Sequence, residues 1–136
     1  MVSYGDIHFC DEGYFINLDK DLDRLKSIKK ELKNNNITGV KRFNATVDKF
    51  GIGRHGSKRS HQTIIKNFSQ SKGETCLIIE DDIKFTNFLN KENIQKLKAK
   101  LEDRSVDAIW IGGCPKHLAE ELSLIHISEP TRQSPI

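Results

Sequence analysis

Thr75-Cys76-Leu77-Ile78-Ile79-Glu80-Asp81-Asp82 joins a continuous apolar run to three consecutive acids. A short apolar run of this kind, without polar alternation, is typical of a strand that is buried on both faces of a parallel sheet. The three acids then follow at the carboxyl end of that strand. The sequence therefore predicts an interior strand that delivers a cluster of carboxylates to one edge of a sheet.

Strands and helices alternate on both sides of this stretch. Tyr14–Leu18 is short, apolar and β-favouring, whereas Leu22, Leu25, Ile28 and Leu32 recur at helical spacing before Asn34-Asn35-Asn36 ends the pattern. The other predicted elements are a strand at Val40–Ala45, a glycine-bearing loop at Asp48–Gly56, helices at Ser57–Ser71 and Asn90–Asp103, and a strand at Val106–Ile111. This order predicts an α/β domain with a mostly parallel sheet and flanking helices.

Composition fits one globular domain. The chain has 136 residues, of which 36% are hydrophobic and 30% are charged. The net charge of +3 is mild, and the lysines are spread over helical stretches rather than gathered in a basic arm. Nucleic acid is therefore not an expected partner.

Cysteine usage and hydropathy bear on the compartment. The three cysteines, Cys10, Cys76 and Cys114, are an odd number without a C-x-x-C pair, so we expect reduced thiols rather than a disulfide framework or a zinc site. No run of about 18 apolar residues occurs, and the start of the chain lacks the order of a signal peptide. We expect a cytoplasmic protein without a transmembrane segment.

The acids Glu80, Asp81 and Asp82 have two interpretations. Alternation along a strand places Glu80 and Asp82 on one side, where one carboxylate can hold a divalent metal while another reaches a metal-bound water or a ribose hydroxyl. Three neighbouring carboxylates repel one another, which favours the binding of a cation. Alternatively, the acids form a solvated loop and cap the next helix.

Three motifs in order give the chain a family resemblance. They are YFINLDKDLDR at Tyr14–Arg24, Ser60-His61, and the apolar strand with its acids at Leu77–Asp82. In this respect the chain resembles glycosyltransferase family 25, the lipopolysaccharide and collagen-type galactosyltransferases. Asp107–Gly112 is similar to the strand that follows in the family, so the resemblance covers residues 13–113. One departure is Ser57, since a cysteine is common at that position in the family; we expect the change to matter little.

The resemblance implies a GT-A-type, Rossmann-like fold and a UDP-sugar donor. It further implies a divalent cation, Mn²⁺ or Mg²⁺, and transfer of a hexose, often galactose, to a hydroxyl acceptor in glycan, lipopolysaccharide or glycoprotein synthesis. Carried over by position, Asp82 and Glu80 are the expected metal ligands. The expected donor-binding residues are Asn17, Asp19, Arg24, Ser60, His61, Glu80 and Asp81. No residue in 1–121 is identified as the catalytic base.

Simpler roles stay open for three of these residues. An arginine such as Arg24 on an amphipathic helix is often a surface or helix-dipole partner. Ser60 and His61, near the predicted start of a helix, can cap backbone groups instead of contacting a donor.

Residues 122–132, LSLIHISEPTR, match the conceptual translation of a sequencing-library adapter. We therefore expect residues 1–121 to be part of a glycosyltransferase domain and residues 122–136 to be a non-native tail with few specific contacts. A domain interrupted in this way is expected to be inactive as a transferase by itself.

Two other functions were weighed. The first is a nucleotide-sugar-binding domain that performs no transfer. The second is a receiver-like signalling domain, which would need a phospho-accepting aspartate at the end of a later strand. Gly112 stands in that position after Asp107–Ile111, which disfavours the receiver.

Overall fold

A computed structural model describes residues 1–47, 53–103 and 105–112, and for residues 53–55 the backbone. The predicted tail and Cys114 lie outside these ranges. The chain divides into two compact units, Met1–Gln95 and Lys96–Ile136.

The strands in the described ranges are β1 (Val2–Tyr4), β2 (Ile7–Cys10), β3 (Glu12–Asn17), β4 (Ile37–Thr38), β5 (Lys41–Asn44) and β6 (Cys76–Glu80), and the helices are α1 (Leu22–Asn34), α2 (Gly53–Ser69) and α3 (Lys91–Glu102). The architecture is mixed α/β, with two small sheets, one of them parallel.

The parallel sheet has the strand order β5-β3-β6. In its register, Ile16 of β3 lies between Phe43 of β5 and Glu80 of β6. The chain leaves β3 through α1 to reach β5 on one side, and then passes through α2 to reach β6 on the other side. The connections therefore reverse direction at β3, which makes the boundary between β3 and β6 a topological switch point.

Most of the strands and helices predicted from the sequence are confirmed. The strands predicted at Tyr14–Leu18 and Val40–Ala45 are β3 and β5, and the predicted helices correspond to α1, α2 and α3. The predicted loop at Asp48–Gly56 is wrong in its second half, because α2 already begins at Gly53; residues 48–52 lie outside the described residues. Glycine lowers helix propensity by only about 1 kcal/mol, so packing elsewhere on the helix can outweigh it.

The predicted strand at Val106–Ile111 is not formed, and β6 is not buried on both faces. Within the described residues β6 pairs with β3 alone, so Leu77 and Ile78 remain half-buried. Trp110 is 59% exposed. The two errors, the missing strand at Val106–Ile111 and the partial burial of β6, have one cause. An apolar run forms a fully buried strand only where a neighbouring element is present to cover it.

The core of Met1–Gln95 gathers around β3. Phe15 of β3 is 3% exposed, Ile28 of α1 is fully buried, and Ile64 of α2 is 2% exposed. Ile79 of β6 is also buried, while Leu22, at the first turn of α1, is 62% exposed. Apolar periodicity thus identified the buried face of α1 except at its first residue.

An antiparallel sheet of order β2-β1-β4 was not predicted. Gly5 and Asp6 form the two-residue turn between β1 and β2, and Gly5 has a φ of +58°. Glycine at the first position of such a turn, between short stretches of β-favouring residues, is a hairpin signal that the sequence contained.

Gly39 allows β4 to approach the amino terminus of the chain. Its φ is +87°, and a Cβ there would overlap the Met1 carbonyl oxygen and lie 3.1 Å from Val2 Cα. Val2 is fully buried in β1, so its backbone cannot move away easily. Gly5 also has a positive φ, but a Cβ at that position would meet nothing within 4 Å.

We predict that Gly39→Ala lowers the free energy of unfolding more than Gly5→Ala. Both changes place alanine in the left-handed region, which costs about 1–2 kcal/mol. Gly39→Ala adds a steric overlap, and overpacking costs about a further 1–3 kcal/mol. Urea unfolding of the two variants measures the difference. Equal losses for both would show that β4 does not constrain Met1 and Val2.

Candidate functional site

Polar side chains meet where the three parallel strands end. We call this region the carboxyl edge; it comprises Asn17 of β3, Asn44 of β5, Glu80 at the end of β6, and Asp81 and Asp82 in the turn that follows. The edge includes the switch point between β3 and β6, which is where open α/β sheets commonly bind ligands.

Asn17 is the centre of the carboxyl edge. It is 1% exposed, and its Nδ2 donates to Asp81 Oδ2 at 2.8 Å and to the Asp21 backbone carbonyl at 3.1 Å. Its Oδ1 accepts from Arg42 Nε at 3.0 Å. Both amide hydrogens and the amide oxygen are therefore engaged, so the orientation of this side chain is fixed by its partners.

Arg42 was not identified from the sequence. Besides holding Asn17 Oδ1, its Nη2 donates to the Asn17 backbone carbonyl at 3.2 Å and to Asp19 Oδ1 at 2.7 Å. Asn44 Nδ2 lies 3.3 Å from the other oxygen of Asp19. Alternation along β5 places Arg42 and Asn44 on one face. The only sign of Arg42 in the sequence was an arginine inside a short predicted strand.

Asp81 is the buried acid of the three. It is 7% exposed, and its Oδ1 lies 3.5 Å from Arg24 Nη1. A desolvated carboxylate costs free energy unless it is hydrogen-bonded or paired with a positive charge. Asn17 and Arg24 supply these two interactions, which places Asn17, Arg24 and Asp81 of the predicted donor set in one cluster.

Glu80 turns toward helix α2. Its Oε1 accepts from Ser57 Oγ at 2.9 Å and lies 3.5 Å from His61 Nε2. Glu80 and Asp82 are exposed while Asp81 between them is buried, which agrees with the predicted alternation. We expected Ser57 to matter little, but the structure places it in direct contact with Glu80, one of the predicted metal ligands.

Ser60 has a structural placement. It is fully buried, and its Oγ donates to the Gly56 carbonyl at 2.9 Å and accepts from Thr46 N at 2.8 Å. The hydroxyl therefore ties α2 to the segment after β5, instead of facing solvent as a donor-binding group would.

Asp82 is exposed and makes no hydrogen bond or ion pair with another described residue. In residues 1–47, 53–103 and 105–112 no group of three or more potential metal-ligating side chains is close enough to hold a metal ion. Two accessible carboxylates, Glu80 and Asp82, nevertheless match the donor chemistry of Mg²⁺, which proteins often bind through one or two carboxylates together with substrate phosphates.

The opposite end of the parallel sheet has different chemistry. The hydroxyls of Ser71 and Tyr14 donate to the Glu12 carboxylate and lower its pKa, while the same contact raises the pKa of Tyr14. Burial raises the pKa of Cys10, and burial also raises that of Cys76, to about 12. Both thiols are free of disulfides, and a raised pKa disfavours the thiolate, which is the nucleophilic form.

Comparison of the chain with protein-family models, with curated proteins and with solved structures found no match. None of the described helices is long and apolar enough to cross a membrane.

We predict that Asn17→Asp destabilises the fold by about 2–3 kcal/mol at pH 7, because a buried donor to Asp81 is replaced by a second carboxylate. The two carboxyls would share a proton, which raises the pKa of the pair above its unfolded value. A raised folded-state pKa gives stability that is present at low pH and lost as pH rises. Arg24 and Arg42 face the pair and reduce this shift without removing it.

Urea unfolding at pH 5 and pH 7.5 measures the effect. The deficit of Asn17→Asp relative to the wild type should be smaller at pH 5. Asn67→Asp, an exposed position on α2, is the matched control and should show little deficit at either pH. A deficit of Asn17→Asp that does not change with pH would contradict close contact between positions 17 and 81.

Proposed function

We propose that this chain carries the nucleotide-sugar-binding part of a metal-dependent glycosyltransferase of the family 25 type, with a GT-A-type, Rossmann-like fold. The reaction is transfer of a hexose, with galactose as the expected sugar, from a UDP-sugar to a hydroxyl acceptor. The proposal joins the resemblance in the sequence to the geometry of the carboxyl edge.

The observation that carries the proposal is the convergence of the three motifs. Asn17 and Asp81 are 64 positions apart in the chain and lie 2.8 Å apart at their side chains. Arg24, from the end of the first motif, lies 3.5 Å from the same carboxylate. His61, from the second motif, lies 3.5 Å from Glu80 in the third. This convergence of the three motifs at one edge of the sheet supports the proposal.

The position of the cluster supports a nucleotide ligand. The cluster is at the switch point of a parallel sheet, where the diverging connections leave a crevice beyond the strand ends. Asp19, held by Arg42 and Asn44, presents an exposed carboxylate there, and carboxylates at such strand ends bind ribose hydroxyls in dinucleotide-binding folds. Arg24 is 58% exposed at its side chain and adds a guanidinium suited to phosphate oxygens.

The residues of the edge would divide the work of transfer. Asp82 and Glu80 would hold the divalent cation, and Asp81 would anchor the segment that carries them. When bound, Mn²⁺ or Mg²⁺ supplies neutralisation of the charge that develops on the departing UDP. The base that deprotonates the acceptor hydroxyl is not among the residues that converge at this edge.

A second candidate function is nucleotide-sugar binding without transfer. It is favoured by the absence, within the described residues, of any group of three metal-ligating side chains. Metal-dependent hydrolysis of a UDP-sugar separates the two functions, since only a catalytic site accelerates it. The receiver-like alternative gains no support, because Val106–Ile111 does not form the strand that would present a phospho-acceptor.

We predict that Asp82→Asn strongly weakens manganese-dependent binding of UDP. The change preserves the shape of the side chain and removes the charge of an exposed carboxylate that makes no other contact in the described part of the chain. The loss of one anionic ligand should weaken UDP binding at least roughly tenfold, equivalent to about 1.4 kcal/mol. Titration calorimetry with UDP at saturating manganese measures the change, and circular dichroism should show an unaltered fold.

Asp6→Asn is the matched control, because Asp6 is an exposed acid in the β1–β2 turn, outside the carboxyl edge. It should bind UDP as the wild type does. Equal UDP affinity of Asp82→Asn and wild type would leave Asp82 as a solvent-exposed acid without a role in binding and remove the main support for the enzyme.

A further inference from the structure

Two groups on α2 approach the same oxygen of Glu80. Ser57 Oγ donates to Oε1 at 2.9 Å, and His61 Nε2 lies 3.5 Å from that oxygen. Residues four apart on a helix lie one above the other on one face, so Ser57 and His61 form a two-point holder mounted on a single helix.

The other oxygen of Glu80 makes no contact with a described residue. Oε2 has no hydrogen-bond or ion-pair partner among the described residues, and the Glu80 side chain is 48% exposed. One carboxylate oxygen is therefore held by the protein, and the second is accessible at the edge where Asp82 is also exposed. This arrangement fixes the direction of the group without using up its capacity to bind.

A capping role does not explain Ser57. It is the fifth residue of α2, which begins at Gly53, and capping serines stand just before the first turn. Its hydroxyl is directed at Glu80, a residue 23 positions away in the chain. The contact lies near solvent, where it adds little to stability, in keeping with the small net value of exposed polar interactions.

The value of the contact is in preorganisation. An unrestrained glutamate loses side-chain rotamer entropy when a ligand fixes it. Because Ser57 already restricts the rotamers of Glu80, less entropy is lost when a ligand binds to Glu80. Removing the hydroxyl should therefore weaken ligand binding while leaving the unfolding transition in place.

We propose that Ser57 is a positioning residue of the donor site, which, together with His61, orients Glu80 so that its other carboxylate oxygen would be available to the divalent cation that binds with UDP. This inference rests on the proposed function. It assigns a functional role to the position at which the sequence departs from the family pattern.

The test is titration calorimetry of UDP at saturating manganese with the wild type, Ser57→Ala and Ser57→Thr. Ser57→Ala should weaken UDP binding roughly fivefold to tenfold, which is within the range for the loss of one ordinary hydrogen bond. Ser57→Thr keeps the hydroxyl and should restore affinity to within about twofold of wild type. The urea midpoint should be the same for all three proteins.

Ser69→Ala is the matched control, since Ser69 is an exposed serine in the last turn of the same helix and bonds only the Lys66 carbonyl. It should leave UDP affinity unchanged. A double variant with His61→Gln should lose less than the sum of the single losses, because both groups hold one oxygen.

The outcomes separate the two proposals. UDP binding by the wild type with no change in Ser57→Ala overturns the role of Ser57 and leaves the proposed function intact. A loss in Ser57→Ala that Ser57→Thr does not restore, or that comes with a lower urea midpoint, also overturns it in favour of a structural role. Absence of manganese-dependent UDP binding in the wild type overturns the proposed function and this inference with it.

Discussion

The hydrogen bond from Asn17 to Asp81 is the constraint on which the carboxyl edge depends. It joins the ends of the two adjacent strands β3 and β6 across the switch point, and both side chains are buried. A buried carboxylate is tolerated only with partners, so the ends of β3 and β6 are held at a fixed spacing for as long as Asp81 is charged. Arg42 extends the constraint to β5. Because it donates to Asn17 Oδ1, it orients the amide so that Nδ2 faces Asp81.

The three acids consequently have different roles, although they are adjacent in the chain. Asp81 is directed inward, and its two oxygens face Asn17 and Arg24. Glu80 and Asp82 are exposed on either side of it. Anchoring the middle residue positions Glu80 and Asp82 at the carboxyl edge without using their carboxylates.

The sequence predicted the parts of the fold in which a repeating apolar pattern meets a continuous core. Ile28 and Leu32 on α1 and the apolar strand β3 are of this kind. It failed where the outcome depends on what lies beside an element, as for β6, whose apolar residues were taken to be covered on both faces. Periodicity records which residues prefer burial but not whether a neighbour exists to bury them.

The sequence predicted the acids of the candidate site together with Asn17, Arg24 and His61, but it did not predict that Arg42 and Ser57 hold members of this set. Arg42 lies in a strand with no motif around it, and Ser57 was treated as a neutral departure. Their contacts span 25 and 23 positions of the chain, and pairings of that kind follow from strand order and helix placement, which local patterns do not specify. Supporting residues are therefore harder to find than the groups they support.

The balance of charge at the edge indicates which class of ligand it favours. Arg24 and Arg42 carry two positive charges, and their partners Asp81 and Asp19 carry two negative charges, so this part of the cluster is neutral. Glu80 and Asp82 add two negative charges, and among the described residues Asp82 has no partner. Exposed carboxylates two positions apart in the chain oppose one another's charge, and a divalent cation bound between them would relieve that repulsion. Once bound, the same cation attracts a diphosphate that the acids alone would repel, so binding of the metal and binding of the nucleotide should reinforce each other at this edge.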